Sequence, residues 1–214
     1  MTSKIVPAGE ARIETRVSNS RFIATIGPAF SVSEAREFVA RLKDEFDDAS
    51  HNVPAFIIGH GSSVVAHCND DGEPSGTAGR PALAVLQGSG LGDVVVVVTR
   101  YFGGTKLGTG GLVRAYGDAV RQVLEAVKRA EKVPTYRLSI TIPYPLFEQT
   151  RLLIGSQGGL IENEDFLAEV TIFAQFRVDD FPAFQDALRE LSHGQITASI
   201  IEMNEATIMP LEEN

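Results

Sequence analysis

The sequence contains no tryptophan, one cysteine and no long apolar run. A single cysteine, Cys68, cannot form a disulfide within the chain, which argues against a disulfide-stabilised secreted domain. Apolar stretches such as residues 94–98 are far shorter than the roughly 20 residues of a membrane-spanning helix. The first residues also lack the apolar segment of a signal peptide. These absences predict a cytoplasmic protein with no membrane partner.

Several catalytic and metal-binding motifs are missing as well. His67 and Cys68 are adjacent and would point to opposite faces of a strand, and neither they nor His60 have the spacing of a zinc site. The chain has no Walker A sequence, no GxGxxG dinucleotide fingerprint and no GxSxG elbow. We therefore predict no bound metal, name no catalytic residue, and expect that the protein is not an enzyme.

The acidic charge is concentrated in the second part of the chain. Residues 1–134 hold 15 Lys+Arg and 15 Asp+Glu, whereas residues 135–214 hold 4 Arg, no Lys and 13 Asp+Glu, so the net charge of −9 lies entirely after residue 134. An acidic module repels phosphate backbones, so duplex DNA is not an expected partner. Contacts with RNA or phosphate must then come from a local basic cluster in the first part.

Hydrophobic periodicity predicts two α+β domains, residues 1–133 and 134–214, with a boundary where a helix is followed by Pro134. Strands are predicted at residues 20–26, 55–58, 63–66 and 94–98, and helices at residues 34–46, 80–86 and 112–130. Residues 70–79 and 103–111 are rich in glycine and are expected to be loops. The second part reads strand, helix, strand, strand, helix, strand, which is the βαββαβ order of a ferredoxin-like fold.

The loop at residues 103–111 is the first candidate site. It follows a buried strand and opens a helix, so its backbone N–H groups and the positive helix end favour an anion. The residues assigned to this anion or ligand site are Arg80, Arg100, Gly103, Gly104, Lys106, Gly108, Thr109, Gly110, Gly111 and Arg114. The alternative is a tight turn whose glycines serve close packing. Arg114, Arg121 and Lys128 recur every seven residues and form either a solvent-exposed face or a basic ridge for RNA phosphates.

The loop at residues 70–79 is the second candidate. Its polar side chains are Asp70, Asp71, Glu73, Ser75 and Thr77. Three carboxylates within four residues could hold Mg²⁺, pair with Arg100 or Lys106, or simply face solvent. We expect function at this polar loop beside apolar strands, because binding residues concentrate on loops held by a rigid scaffold.

The segments DDGEPSGTAG, RYFGG and KLGTGGLVRAY, which begin at Asp70, Arg100 and Lys106, closely resemble the signature of the YigZ/IMPACT family, also called UPF0029. The resemblance also includes SRFIA from Ser20. It implies an N-terminal domain similar to ribosomal protein S5 domain 2 and a C-terminal domain similar to the last domain of elongation factor G. One departure is Val53, where the family usually has a cysteine two residues after the histidine.

The family resemblance implies a role in translation, since its eukaryotic relatives regulate translation initiation. We therefore expect a non-enzymatic regulator that binds RNA, the ribosome or a translation-factor protein, with no cofactor. The alternative is a Mg²⁺-assisted enzyme or a binding protein for a phosphorylated small molecule, in which the acidic loop holds the metal and residues 108–111 bind phosphate.

Overall fold

The structure, a computed structural model, describes residues 4–61 and 63–211. It divides into two units, residues 1–131 and residues 132–214. Both units combine helices with antiparallel sheet, which confirms the predicted α+β class and two-domain architecture. The division falls inside a strand, because the strand that follows the last helix of the first unit begins five residues before Pro134.

Unit 1 is built on a five-stranded antiparallel sheet. Its strands are β2 (Ala11–Val17), β3 (Ser20–Pro28), β4 (His51–His60), β5 (Ser63–Cys68) and β6 (Val94–Tyr101), in the order β2-β3-β6-β4-β5. The short strand β1 (Ile5–Pro7) pairs with the start of β7 (Arg129–Ile142). Strands β1 and β2 had no counterpart in the sequence prediction, although β2 alternates half-buried residues, of which only Thr15 is polar, with exposed charged ones.

Helices cover both faces of this sheet. Helices α2 (Gly79–Gly88) and α3 (Gly108–Ala126) pack on one face, and α1 (Val32–Glu45) packs on the other. In β6, Val94, Val96 and Val98 point to the α2/α3 face, while Val95 points to the α1 face. This explains a strand with no polar side, because a strand covered on both faces buries every residue. Val53, at the position of the family cysteine, is fully buried on the α2/α3 face.

The helix ends follow local chemistry. Ser31 caps α1, since its Oγ accepts a hydrogen bond from the backbone N–H of Glu34 at 3.1 Å. Helix α3 begins at Gly108 rather than at Leu112, so the second half of the expected glycine-rich loop is the first turn of the helix. Gly108 itself has φ +71°, a backbone conformation that glycine adopts at no steric cost.

Unit 2 has the predicted βαββαβ order. Its elements are the main part of β7, α4 (Phe147–Ser156), β8 (Leu160–Phe166), β9 (Val170–Arg177), α5 (Phe181–Leu191) and β10 (Ser199–Pro210), with the short 3₁₀ turn Tyr144–Leu146 before α4. The strand order β10-β7-β9-β8 is that of a ferredoxin-like sheet. The last strand, β10, is 12 residues long. The core of unit 2 is formed by β7, β9, α4 and α5. Within it, Phe176 stacks on Phe184 with 4.2 Å between ring centroids.

Candidate functional site

Strand β6 places Arg100 at the centre of the candidate site. The sheet register sets Arg100 beside Phe22 of β3 on one side and beside His51 of β4 on the other. Arg100 is only 4% exposed, which is unusual for arginine unless the charge has a partner. Its guanidinium carbon lies 5.4 Å from the ring centre of Phe22 and 5.5 Å from that of Phe102, so the cation sits against two aromatic rings.

The partner of Arg100 is Glu73, a buried carboxylate from the acidic loop. Arg100 Nη1 donates to Glu73 Oε1 at 2.6 Å, and Arg100 Nη2 donates to Ser20 Oγ at 3.2 Å. The Tyr116 hydroxyl of α3 donates to the same Glu73 oxygen at 2.8 Å, and His51 Nε2 lies 3.7 Å from it. We call these five residues the Glu73 cluster. Burial and the Glu73 charge raise the pKa of Tyr116, so its hydroxyl stays protonated and remains a donor.

One atom of this cluster has no partner. Arg100 Nε is buried and makes no hydrogen bond within the described part of the chain. Buried polar atoms nearly always have a partner, so an unsatisfied donor of this kind is expected where a ligand or water completes the structure. Arg100 also lines the pocket described below.

The two other carboxylates of the acidic loop shape the loop itself. Asp70 accepts three backbone hydrogen bonds, from Gly76, Ala78 and Gly79, at 2.7 to 3.1 Å, and so satisfies free N–H groups at the start of α2. Burial alone would raise the pKa of Asp70, but these N–H donors outweigh it and lower that pKa. Asp70 therefore acts as a helix cap supplied from eight residues upstream.

Asp71 ties the same loop to α1 and β4. Its Oδ1 lies 2.5 Å from Lys43 Nζ, and its Oδ2 accepts from the backbone N–H of Asn52 at 2.6 Å. Its carbonyl oxygen lies 2.8 Å from His51 Nδ1. Thr77 is buried and donates to the carbonyl of Pro74, whereas Ser75 is exposed. The three acidic side chains thus have three separate sets of partners.

The glycines of residues 103–111 have two different roles. Gly103 packs closely, since a Cβ atom there would lie 2.0 Å from the carbonyl oxygen of Asn19. Gly104, Gly108 and Gly110 have open space around the position of a Cβ atom. The first turn of α3 has no side-chain cap, so its backbone N–H groups remain available to an acceptor.

These elements enclose a pocket of about 340 Å³. The pocket is lined by Glu73, Pro74, Arg100, Phe102, Lys106, Leu107, Gly108, Thr109 and Leu112. It therefore brings together five of the predicted residues: Glu73, Arg100, Lys106, Gly108 and Thr109. Lys106 is exposed and forms no ion pair within residues 4–61 and 63–211, so its charge is available to a ligand.

The remaining predicted residues lie outside the pocket lining. Arg80 and Arg114 are exposed, and the lining includes neither of them. Gly103, Gly104, Gly110 and Gly111 support the loop and the helix start without lining the cavity. Asp70, Asp71, Ser75 and Thr77 belong to the supporting acidic loop. In the predicted basic ridge of Arg114, Arg121 and Lys128, Arg121 forms an ion pair with Asp118 of α3.

Among the described residues, no group of three His, Cys, Asp or Glu side chains could hold a metal ion. His60 instead lies 3.2 Å from Asp93, and His67 lies against Phe56 with ring centroids 5.1 Å apart. In the same part of the chain, no helix is both long and apolar enough to cross a membrane.

The sequence prediction assigned no role in the site to Ser20, His51, Phe102 or Tyr116. Phe102 had a readable signal, because it is a large aromatic residue between a buried strand and a glycine pair. It is 46% exposed beside the pocket. The roles of Tyr116 and His51 were not readable, because each depends on a partner more than 20 residues away in the chain.

Comparison with known proteins identifies the kind of chain that carries this site. Residues 18–124 match the Impact N-terminal domain, and residues 140–195 match a domain of unknown function, DUF1949. The chain is thus a two-domain protein in which an Impact N-terminal domain contributes the Glu73 cluster and the pocket.

Relatives match over almost the whole chain. The IMPACT family member YigZ of Escherichia coli (strain K12) is 36% identical over 203 residues, which cover 94% of this chain and 100% of the relative. YvyE of Bacillus subtilis (strain 168) is 35% identical over 188 residues, covering 88% and 85%. A crystal structure of a hypothetical protein shares 35% identity with a TM-score of 0.61 and covers 94% of this chain and 98% of its own. The chain belongs to the IMPACT family, as the sequence motifs predicted.

Proposed function

We propose that this protein is a translation-associated regulator that binds RNA, the ribosome or a translation factor through the pocket at the start of α3. Two lines of support lead to this proposal. The chain belongs to a family whose eukaryotic members, by the resemblance above, regulate translation initiation, and Protein IMPACT of Xenopus laevis is 33% identical over 93 residues, or 42% of this chain. The second line is the chemistry of the pocket.

The observation that carries the proposal is the convergence of a free cation, an uncapped helix start and an exposed aromatic ring. Lys106 and the first turn of α3 offer a positive charge and N–H donors to a phosphate. Phe102 offers a face on which a base can stack. These are the contacts that bind single-stranded nucleic acid with little sequence preference.

A single-stranded RNA segment fits this surface better than a duplex. Only unstacked bases can lie against Phe102, because the faces of the bases in an RNA duplex are already stacked on one another. The net charge of −9 after residue 134 also opposes the long phosphate contacts that a duplex makes. The proposed role is binding rather than catalysis, since the Glu73 carboxylate is held by Arg100 and Tyr116.

Substitution of Lys106 tests the surface directly. Lys106→Ala should weaken binding of a short unstructured RNA, measured by fluorescence anisotropy, and should reduce cosedimentation with ribosomes. On single-stranded RNA, the slope of log K against log salt should become less steep by about 0.7 for one lost phosphate contact. Lys4→Ala removes the same charge from an exposed position outside the pocket lining and serves as the matched control.

The stacking contact needs a second pair of variants. Phe102→Leu should weaken RNA binding without changing the salt slope, because it removes a ring and no charge. Phe30→Leu, which changes a ring of similar exposure at another place, should bind as the unmodified protein does. If both Lys106→Ala and Phe102→Leu bind RNA and ribosomes normally at low salt, the proposed surface is wrong.

A phosphorylated small molecule is the second candidate ligand. The pocket volume of about 340 Å³ is within the range of small-molecule sites, which is roughly 300 to 1,000 Å³. The acidic loop offers little to Mg²⁺ in this arrangement, because Asp70 and Asp71 already accept several hydrogen bonds each. Thermal shift with a panel of nucleotides, with and without Mg²⁺, tests this candidate. Stabilisation that grows with ligand concentration supports it, and a flat response removes it.

A further inference from the structure

Strand β5 is an exposed edge of the unit 1 sheet. It is last in the strand order, and no other strand within residues 4–61 and 63–211 pairs with its outer side. Its sequence, SVVAHC, has no proline, lysine or acidic residue, which are the usual devices that protect an edge from pairing. Val64 is 44% exposed and Val65 is 54% exposed. An unprotected, apolar edge is the template that strand addition requires.

A groove runs beside this edge on the α1 face of the sheet. Helix α1 packs over β4 and β6 and leaves the face of β5 uncovered, so a cavity of about 400 Å³ remains between helix and strand. Val39 and Ala40 of α1 form its wall, and Phe56, Val65 and His67 form its floor. We call this cavity the α1–β5 groove. It lies on the opposite face of the sheet from Arg100 and the Glu73 cluster.

The charged side chains that line the groove have one sign. They are Arg36 and Lys43, and the lining includes no aspartate or glutamate. Lys43 is paired with Asp71, whereas Arg36 is exposed and forms no ion pair among the described residues. The rim therefore attracts a negative group, and a basic segment would meet repulsion there.

We propose that the α1–β5 groove is a docking surface for an extended, acidic segment of a partner protein. The segment would add to β5 as a sixth strand through main-chain hydrogen bonds. Every second side chain would then point into the groove, with apolar groups on Val65 and an acidic group beside Arg36. This surface is separate from the RNA surface, so it would let the protein hold two partners at once.

Two labelled twelve-residue peptides test the proposal. One alternates glutamate with valine and leucine, and the other carries lysine in place of every glutamate. In fluorescence anisotropy at low salt, the acidic peptide should bind and the basic peptide should not. Arg36→Glu should weaken binding by about tenfold, because it replaces an attraction with a repulsion. Arg16→Glu makes the same charge change on the opposite edge strand, β2, and should leave binding unchanged.

A neighbouring pair of variants tests the face of the strand. Val65→Asp places a charge in the groove and should abolish binding of the acidic peptide, whereas Val64→Asp changes the other face of β5 and should retain most of it. Hydrogen exchange of residues 63–68 should slow when the peptide is bound, since strand addition protects those amides.

Three results would overturn the proposal. The first is equal or absent binding of the two peptides. The second is binding that leaves exchange over residues 63–68 unchanged. The third is that no peptide binds, while sedimentation velocity shows a concentration-dependent dimer that Val65→Asp abolishes. That result would assign this edge to a second copy of the chain.

Discussion

Separating Arg100 from Glu73 should destabilise unit 1 far more than breaking any surface ion pair. Their side chains are 5% and 3% exposed, and the atoms that join them are 2.6 Å apart. Removing one partner of a buried pair leaves the other charge without compensation, which costs about 3 to 5 kcal/mol. Arg100→Met and Glu73→Gln should therefore each lower the free energy of unfolding by an amount in this range.

The double variant decides whether the pair itself is responsible. Arg100→Met combined with Glu73→Gln leaves no buried charge, so it should be less destabilised than the sum of the single variants, with a coupling of about 1 to 3 kcal/mol. Urea unfolding followed by far-ultraviolet circular dichroism measures all three. The control is Arg21→Met, which breaks a pair with Glu14 whose side chains are 42% and 40% exposed, and it should cost about 1 kcal/mol or less.

Single variants that lose no more stability than Arg21→Met would contradict a strong buried ion pair. Strict additivity in the double variant would contradict it too, because additivity means that the two charges do not interact. Either result would make the Glu73 cluster a set of neighbours rather than a cooperative network.

Three further predictions concern the scaffold. Asp70→Asn should lower the free energy of unfolding by about 1 kcal/mol at pH 7. Because the pKa of Asp70 is lowered in the folded state, the stabilisation by its carboxylate is present above the unfolded pKa of about 3.9 and is lost as pH falls through the folded pKa. In urea unfolding, the stabilities of the unmodified protein and Asp70→Asn should therefore converge in acid. Gly103→Ala should destabilise by at least about 2 kcal/mol through collision with Asn19, whereas Gly110→Ala, which has open space, should be neutral or raise the melting temperature. Because the pKa of Tyr116 is raised, its hydroxyl should not ionise while the protein is folded. Tyr116→Phe should therefore change the ultraviolet titration of the tyrosines only at the alkaline pH where the chain unfolds. A difference in that titration while the protein is still folded would contradict the buried position of the hydroxyl.

The fold was largely predictable because its signals are local or periodic. The apolar β6, the capped α1 and the βαββαβ order of unit 2 each follow from patterns within one segment. The errors have physical causes. Helix α3 begins within the glycine-rich segment at residues 108–111, although glycine has a weak helix propensity. The packing of Leu112 and Tyr116 against the sheet stabilises this first turn.

The sequence indicated which two loops carry the charged residues and glycines, but not the contacts that these loops make. Glycine, cations and carboxylates in two loops indicated a binding surface, and the structure brings Lys106 and the helix start together with Glu73. Because Asp70, Asp71 and Glu73 are close in sequence, they were expected to act together. The chain turns sharply at Asp71, which has φ +48°, and the three side chains point to different partners. Pairing with Arg100 was one of three alternatives for these carboxylates, but no local pattern identifies Glu73 as the partner, because the pair spans 27 residues.

Arg100 lies on the central strand of its sheet, while Phe102 and Lys106 lie on the exposed segment that follows. A change at Arg100 disturbs the core, whereas Lys106 is exposed and the ring of Phe102 is 46% exposed and lies against the Arg100 guanidinium. An engineer can therefore vary Phe102 and Lys106 in a library, select for new ligands, and expect most members to fold.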